Sequence, residues 1–362
     1  MSFSIFKKKQ KKTDPRYRYL TVQDVSPVAS DAVKITFEIP TPPMAYQAGQ
    51  FITLIDEIKG KKIRRAYSLC SSPVLDENPA VIVKRVPGGL MSNHINDTYK
   101  KGLQIEAMNP MGLFTTTINP ANQRKIILFG GGSGITPLFS LLTTILHVEP
   151  KTTIHLVYGN RQKEFIIFKD ELEKLNRDNE RFHLHYILEE NPEGLAAYSG
   201  RPTQEMITKI VADLGIDQQS ELFICGPQPM MDVLSEGLIH SGIHSSQLHL
   251  ESFVPVADED SVKENNISAT EEPCEATILL DGESYSLTLD KSKTILQQAL
   301  EKNLDMPYSC QSGLCTACRA KCLEGEISIA EAEGLTQEEI EEGFVLTCVG
   351  KPLSNVIRID MG

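Results

Sequence analysis

Tryptophan is absent from this chain and aromatic residues make up only 6% of it. No window approaches the roughly 18 unbroken apolar residues of a membrane-spanning helix, so a helical membrane anchor is excluded. The start is Met1 to Phe6 followed by five lysines in six positions (Lys7, Lys8, Lys9, Lys11, Lys12), with no apolar core of a secretory signal. No globin-like segment and no internal repeat is present. An excess of positive charge is also lacking: 36 Lys and Arg stand against 48 Asp and Glu, a net charge of −12. That balance disfavours a nucleic-acid partner. The eight cysteines, half of them in one pattern, point to a reducing, cytoplasmic setting.

That pattern is the most informative feature present. Cys310, Cys315 and Cys318 stand in C-x4-C-x2-C spacing, and Cys348 follows 30 positions later. This is the ligand order of a plant-type [2Fe–2S] cluster, with three thiolates on one loop and a fourth from a distant segment. The loop residues are small or polar, and Gly313 permits a positive φ. A structural zinc site would show two short C-x2-C pairs, and only one is present. Cys322 and Cys70 read as small buried apolar residues.

At 362 residues the chain holds several domains. Residues 17–120 alternate apolar and polar side chains, as in Val33 to Ile39, and carry turn signals. They read as an antiparallel β-barrel. Residues 121–253 alternate strand and helix, which implies a parallel α/β sheet. Residues 274–362 begin with a hairpin around Asp281-Gly282, continue with a helix at Ile295 to Lys302, and read as an α+β, β-grasp-like ferredoxin module. Residues 1–16 read as a basic, disordered tail and 254–273 as an acidic, flexible linker. From Cys274 onward there are 15 Asp and Glu against 7 Lys and Arg. The charge is a solvated surface or a steering field toward a basic electron acceptor. The lysine tail is a mobile terminus or a peripheral contact with an anionic membrane.

Two glycine-rich turns suit phosphate groups. Gly130-Gly131-Gly132-Ser133-Gly134-Ile135-Thr136-Pro137 leaves an apolar strand and opens a helix, where backbone N–H groups and the helix dipole favour a pyrophosphate. It lacks the last glycine of G-x-G-x-x-G, and no acidic ribose ligand follows. Instead the next strand ends in Asn160-Arg161, and the arginine is either a 2′-phosphate partner, favouring NADPH over NADH, or a solvated side chain. The second turn is Gly88-Gly89-Leu90-Met91-Ser92. Upstream stands Arg65-Ala66-Tyr67-Ser68, whose arginine, tyrosine and serine are read as facing one way, offering a cation, a ring and a hydroxyl to a flavin.

R-x-Y-S, G-G-x-x-S, G-G-G-S-G-I-T-P and Cys225-Gly226-Pro227, in that order, resemble the ferredoxin–NADP reductase superfamily. With the ferredoxin module appended, nearly the whole chain is similar to fused oxygenase reductases, among them the reductase components of phenylacetyl-CoA epoxidase complexes and of steroid and aromatic-ring hydroxylases. The resemblance implies electron flow from NAD(P)H through FAD and [2Fe–2S] to an oxygenase or hydroxylase. It implies Arg65, Tyr67 and Ser68 on the flavin, and Gly88, Gly89 and Ser92 on its pyrophosphate, hence FAD rather than FMN. Gly130, Gly132, Gly134 and Thr136 would hold the dinucleotide, with Cys225 and Gly226 against the nicotinamide and Glu251 as a proton relay. Other readings at this point are a reductase for a membrane desaturase or haem monooxygenase, and a non-enzymatic iron–sulfur sensor.

Overall fold

The computed structural model describes residues 15–190, 194, 196–253, 272–330 and 332–362. The lysine run and most of the acidic stretch 254–273 lie outside the described residues.

The first unit is all antiparallel. Strands β1 (Tyr17–Ala29), β2 (Ala32–Phe37), β3 (Phe51–Ile58), β4 (Lys61–Ser68), β5 (Ala80–Lys84) and β6 (Gln104–Met108) are ordered β4-β3-β6-β1-β2-β5. A bridge between Leu69 and Val81 joins the two ends and closes the sheet into a barrel. Alternation puts Leu20, Val22, Ile35, Phe37, Ile52 and Leu54 inside. The barrel also holds a helix that the sequence did not announce, α1 (Leu90–Thr98). It is short, and only Met91, Ser92 and Ile95 of it are buried.

The second unit is a parallel sheet. In chain order it comprises β7 (Lys125–Gly131), α2 (Ile135–Val148), β8 (Thr153–Asn160), α3 (Lys169–Asp178), β9 (Phe182–Leu188), β10 (Tyr198–Ser199), α4 (Gln204–Leu214), β11 (Ser220–Gly226), α5 (Gln228–His240) and β12 (Leu248–Ser252). The strand order is β10-β9-β8-β7-β11-β12, every pair parallel. The chain winds outward from β7 to β10 and then crosses back to β11. The switch point therefore lies at the carboxyl ends of β7 and β11, where such sheets bind ligands. Leu138, Leu141 and Ile145 of α2 share one core with Ala48, Ile82 and Phe114 of the barrel unit, so these two units are joined through apolar packing.

The third unit contains β13 (Cys274–Leu280), β14 (Glu283–Leu289), α6 (Ile295–Glu301), β15 (Arg319–Glu324), α7 (Gln337–Glu341), β16 (Phe344–Leu346) and β17 (Val356–Asp360). Its sheet order is β14-β13-β17-β15-β16, mixed because β13 and β17 run parallel. Asp281 and Gly282 both take positive φ, as a two-residue hairpin turn demands. Cys322, expected to be buried, is only half-buried on β15.

One cluster in the second unit has a pH consequence. His155 on β8 and His183 and His185 on β9 stack on one face, with ring centroids 4.6 and 5.6 Å from His155. Burial first, then the two neighbouring imidazoles and Lys125, push His155 down to about 4. His185 is lowered by burial and by His183, against the opposing pull of Asp213. Folded-state values below the unfolded one mean that the stability is present above the ordinary imidazole value and is lost as pH falls through it toward 4. Unfolding midpoints should therefore drop between pH 7 and 5. His155→Leu should remove part of that slope, on the order of 1–2 kcal/mol after allowance for solvent screening. Parallel urea titrations at both pH values check it, and identical slopes in the two proteins would refute it.

Candidate functional site

The three units meet at a cleft of about 270 Å³. The barrel contributes Phe51, Arg65, Ala66 and Ser68, the parallel-sheet unit contributes His249 to Phe253, and the third unit contributes Ser309, Cys310, Ser312, Leu314 and Glu333. Strand β4 positions Arg65 and Ser68, and β12 brings Glu251 opposite them. The Ser68 hydroxyl donates to Glu251 Oε1 at 3.1 Å. Glu251 is buried, and desolvation pushes its carboxyl up to about 8 with a further push from Cys310, while the Ser68 hydrogen bond opposes the rise. Burial thus favours the protonated form of this carboxyl.

Tyr67 does not share this cleft. It packs half-buried against the barrel core. Successive strand side chains point to opposite faces, so Arg65 and Tyr67, two positions apart, share one face of β4 and Ser68 takes the other. The expectation that all three face one way is corrected at Ser68.

Both glycine turns open helices without a side-chain cap. At α1 the N-cap is Gly89, and at α2 it is Gly134; neither helix has an acidic residue in its first turn. Such ends leave N–H groups available to an anion. Ser92 accepts from the Val86 N–H at 3.2 Å and so shapes the first turn, where Gly88 has φ +75°. Thr136 does the same in the second turn, donating to the Ser133 carbonyl at 2.9 Å. Gly132 has φ +52°, and its carbonyl accepts from the Tyr158 hydroxyl at 2.8 Å.

Close approach explains the other glycines. A Cβ on Gly134 would stand 2.0 Å from the Cys225 carbonyl oxygen, and one on Gly130 would crowd Leu138 and Tyr158. A Cβ on Gly226 would meet the Gly131 backbone at 3.1 Å. The 130–134 turn thus lies directly on Cys225-Gly226 at the switch point. Cys225 itself is fully buried, and burial keeps its thiol protonated. Arg161 is exposed at the end of β8 and lies over the Phe165 ring at 5.0 Å.

Two nearby residues escaped the sequence reading. Lys84 on β5 brings its Nζ within 3.7 Å of where a Gly132 Cβ would stand, and its ion pair with Asp31 is 3.5 Å. A lysine just ahead of the Gly88-Gly89 turn was the available signal. Asn160 is buried beside the Tyr158 hydroxyl, with neither amide atom in a hydrogen bond of ordinary geometry among the described residues.

The four cysteines come together. Cys310 contacts Cys315 and Cys348, and Cys348 contacts Cys318. Donation by its neighbours holds the Cys310 thiol well below its ordinary value. All four are free of disulfides. Gln311 and Gly313 take positive φ, and the Ser312 N–H points at the Cys310 sulfur at 3.5 Å. No described group of three or more side chains surrounds a single ion. The contacts link Cys315, Cys310, Cys348 and Cys318, so the four thiols picked out by spacing are neighbours, as the ligands of one [2Fe–2S] cluster must be.

Comparison with known proteins agrees with this geometry. Residues 19–116 match the oxidoreductase FAD-binding domain, 128–236 the oxidoreductase NAD-binding domain, and 278–353 the 2Fe-2S iron-sulfur cluster binding domain. The ferredoxin reductase component of 3-ketosteroid-9-alpha-monooxygenase from Rhodococcus rhodochrous is 33% identical over 94% of this chain and 96% of its own length. A component of the 1,2-phenylacetyl-CoA epoxidase from Escherichia coli is 31% identical over 95% of this chain and 97% of its own length. The chain belongs to the family of oxygenase reductase components. Its fold is that of phthalate dioxygenase reductase, with a TM-score of 0.58 at 24% identity over 96% of this chain and all of that one. As a member of the family it is an oxidoreductase with FAD, NAD(P)H and [2Fe–2S] domains, carrying electrons from NAD(P)H toward an oxygenase. None of its described helices is long and apolar enough to cross a membrane.

The reductase fold makes one glycine directly testable. Gly134→Ala sets a Cβ against a backbone carbonyl that has no freedom to yield. It should cost about 1–3 kcal/mol of stability and weaken binding of the dinucleotide. Gly159→Ala, whose nearest neighbour would stand at an ordinary 3.6 Å, should do neither. Thermal unfolding and NADP⁺ titration of both variants decide the matter, and a Gly134→Ala protein that binds like wild type would contradict the close approach.

Proposed function

We propose that this reductase takes a hydride from NADPH at the cleft where its three domains meet and delivers single electrons through Cys310, Cys315, Cys318 and Cys348 to an oxygenase. That meeting of Ser68, Glu251 and Cys310 in one cleft is the observation that carries the reading. When bound, FAD converts hydride chemistry to one-electron chemistry and the cluster carries electrons singly. Arg65 supplies a cation to the flavin, and the α1 N-terminus with Gly88, Gly89 and Ser92 holds its pyrophosphate. Gly130, Gly132 and Gly134 with the α2 N-terminus hold the dinucleotide, and Thr136 keeps that turn in shape. Cys225 and Gly226 would hold the nicotinamide, the buried thiol acting by shape rather than by ionisation.

Ser68 and Glu251 form a proton-holding pair at the flavin edge. Ser68→Ala should lower the rate of flavin reduction by roughly 10–100-fold without loss of bound flavin. Stopped-flow absorbance under anaerobic conditions measures it, and an unchanged rate would exclude the pair from the hydride step.

Arg161 is read as the partner of a 2′-phosphate, because it is exposed at the end of β8 and follows no acidic ribose ligand. Arg161→Ala should raise KM for NADPH by about tenfold and leave KM for NADH unchanged. Equal effects on both nucleotides would remove this role.

The acceptor we propose is an oxygenase of the kind that the relatives serve, met by the acidic ferredoxin domain through a basic face. The cytoplasm is the compartment proposed, on the strength of the reduced thiols. Anaerobic addition of NADPH should bleach flavin and cluster bands together. A cluster that stays oxidised at equilibrium would defeat the reading.

A further inference from the structure

The two interfaces of the barrel differ in kind. Toward the nucleotide domain it shares a continuous apolar core. Toward the ferredoxin domain the apolar contact is small, with Phe51, Ile55 and Met108 against Cys315 and Ala317. Tyr17, Met111 and Cys310 pack against it half-buried, and polar groups add to that contact. The Thr53 and Ser309 hydroxyls are hydrogen-bonded. Arg64 Nη1 donates to Asp305 at 2.5 Å, and its guanidinium lies 5.1 Å from the centre of the Tyr308 ring. Lys62 stands 3.9 Å from the same Asp305.

Arg64 is adjacent in sequence to Arg65, and the pleat of β4 sends the two side chains opposite ways. Arg65 enters the flavin cleft, while Arg64 meets the ferredoxin domain. Only 3% of its side chain is exposed, and its Nε has no hydrogen-bond partner among the described residues. A guanidinium so desolvated has one strong partner, Asp305, and that partner is itself exposed. Asp305, Tyr308 and Ser309 are the residues leading into Cys310. Fixing them fixes where the first ligand of the cluster loop stands relative to the cleft.

We propose that Arg64 is a positioning residue for the flavin-to-cluster step: it clasps the segment Asp305 to Ser309 and so docks the cluster loop on the rim of the flavin cleft. The clasp is suited to an interface that parts, because separation returns a cation and a carboxylate to water and uncovers little apolar surface. The proposal rests on the reading of the chain as an NADPH–FAD–[2Fe–2S] reductase.

The test uses the full, cofactor-loaded chain in anaerobic stopped flow with NADPH, following flavin and cluster bands separately. Arg64→Gln should leave the hydride phase unchanged and slow the flavin-to-cluster phase by about tenfold or more. Asp305→Asn, a milder change on the exposed side, should slow the same phase alone. The swap Arg64→Asp with Asp305→Arg should recover much of the rate. Hydrogen exchange at the amides of Phe51 to Ile55 and Cys310 to Ala317 should rise in the single variants and fall again in the swap. A cluster reduced as fast as in wild type, or both phases slowed together in Asp305→Asn, would overturn the assignment. If NADPH fails to reduce flavin even in wild type, the reductase reading falls instead, and the two failures are distinct.

Discussion

Contact of Phe51, Ile55 and Met108 with Cys315 and Ala317 removes water from between the barrel and the cluster loop. Electron transfer falls off steeply with distance, so two redox sites on separate domains are useful only if something holds them together. Here the holding surface is formed by β3 and the end of β6, and β4, paired with β3, carries Arg65 and Ser68 of the cleft. Cleft and docking surface are thus set by neighbouring backbone, and a shift of that sheet would disturb both.

The two turns proposed to hold phosphates follow a different logic, in which side chains contribute little. Two helices begin at glycine with no hydroxyl or carboxylate to satisfy their first turns. An uncapped start is a local weakness of the free protein, usually amounting to about 1 kcal/mol. It becomes an asset when an anionic ligand supplies the missing acceptors. The turns can reach that ligand because backbone presses on backbone: Gly134 against Cys225, and Gly226 against Gly131. Serine and threonine in these motifs are occupied in holding the loop, as Ser92 and Thr136 show.

The three cysteines of one loop, both glycine turns and the parallel sheet were legible in the sequence because each depends on residues close together in the chain or on a short repeat of apolar positions. The gathering of Ser68, Glu251 and Cys310 was legible only through resemblance, since 242 positions of chain separate the first from the last. What was not legible depended on facing. The facing of Ser68 was misjudged because a motif was read as a unit where the pleat divides it. Lys84, Asn160 and Arg64 look like ordinary strand residues until distant segments are laid against them. The helix α1 was hidden because its polar residues Asn93, Asn96 and Thr98 bond to nearby backbone, and only three positions turn inward.

The shared core of Ala48, Ile82 and Phe114 with Leu138, Leu141 and Ile145 has a bearing on how such chains are assembled over evolutionary time. Recombination that cut between the barrel and the parallel sheet would open a packed interior on both fragments, and neither would fold with a new partner unless the matching side chains came too. A cut ahead of Cys274 would part a smaller apolar cluster, a pair of hydroxyls and the ion pairs of Arg64 and Lys62 with Asp305. The first two domains are therefore inherited as one piece, while the third behaves as a cassette. Re-matching it to a new front end requires a carboxylate opposite Arg64 and apolar side chains to meet Cys315 and Ala317.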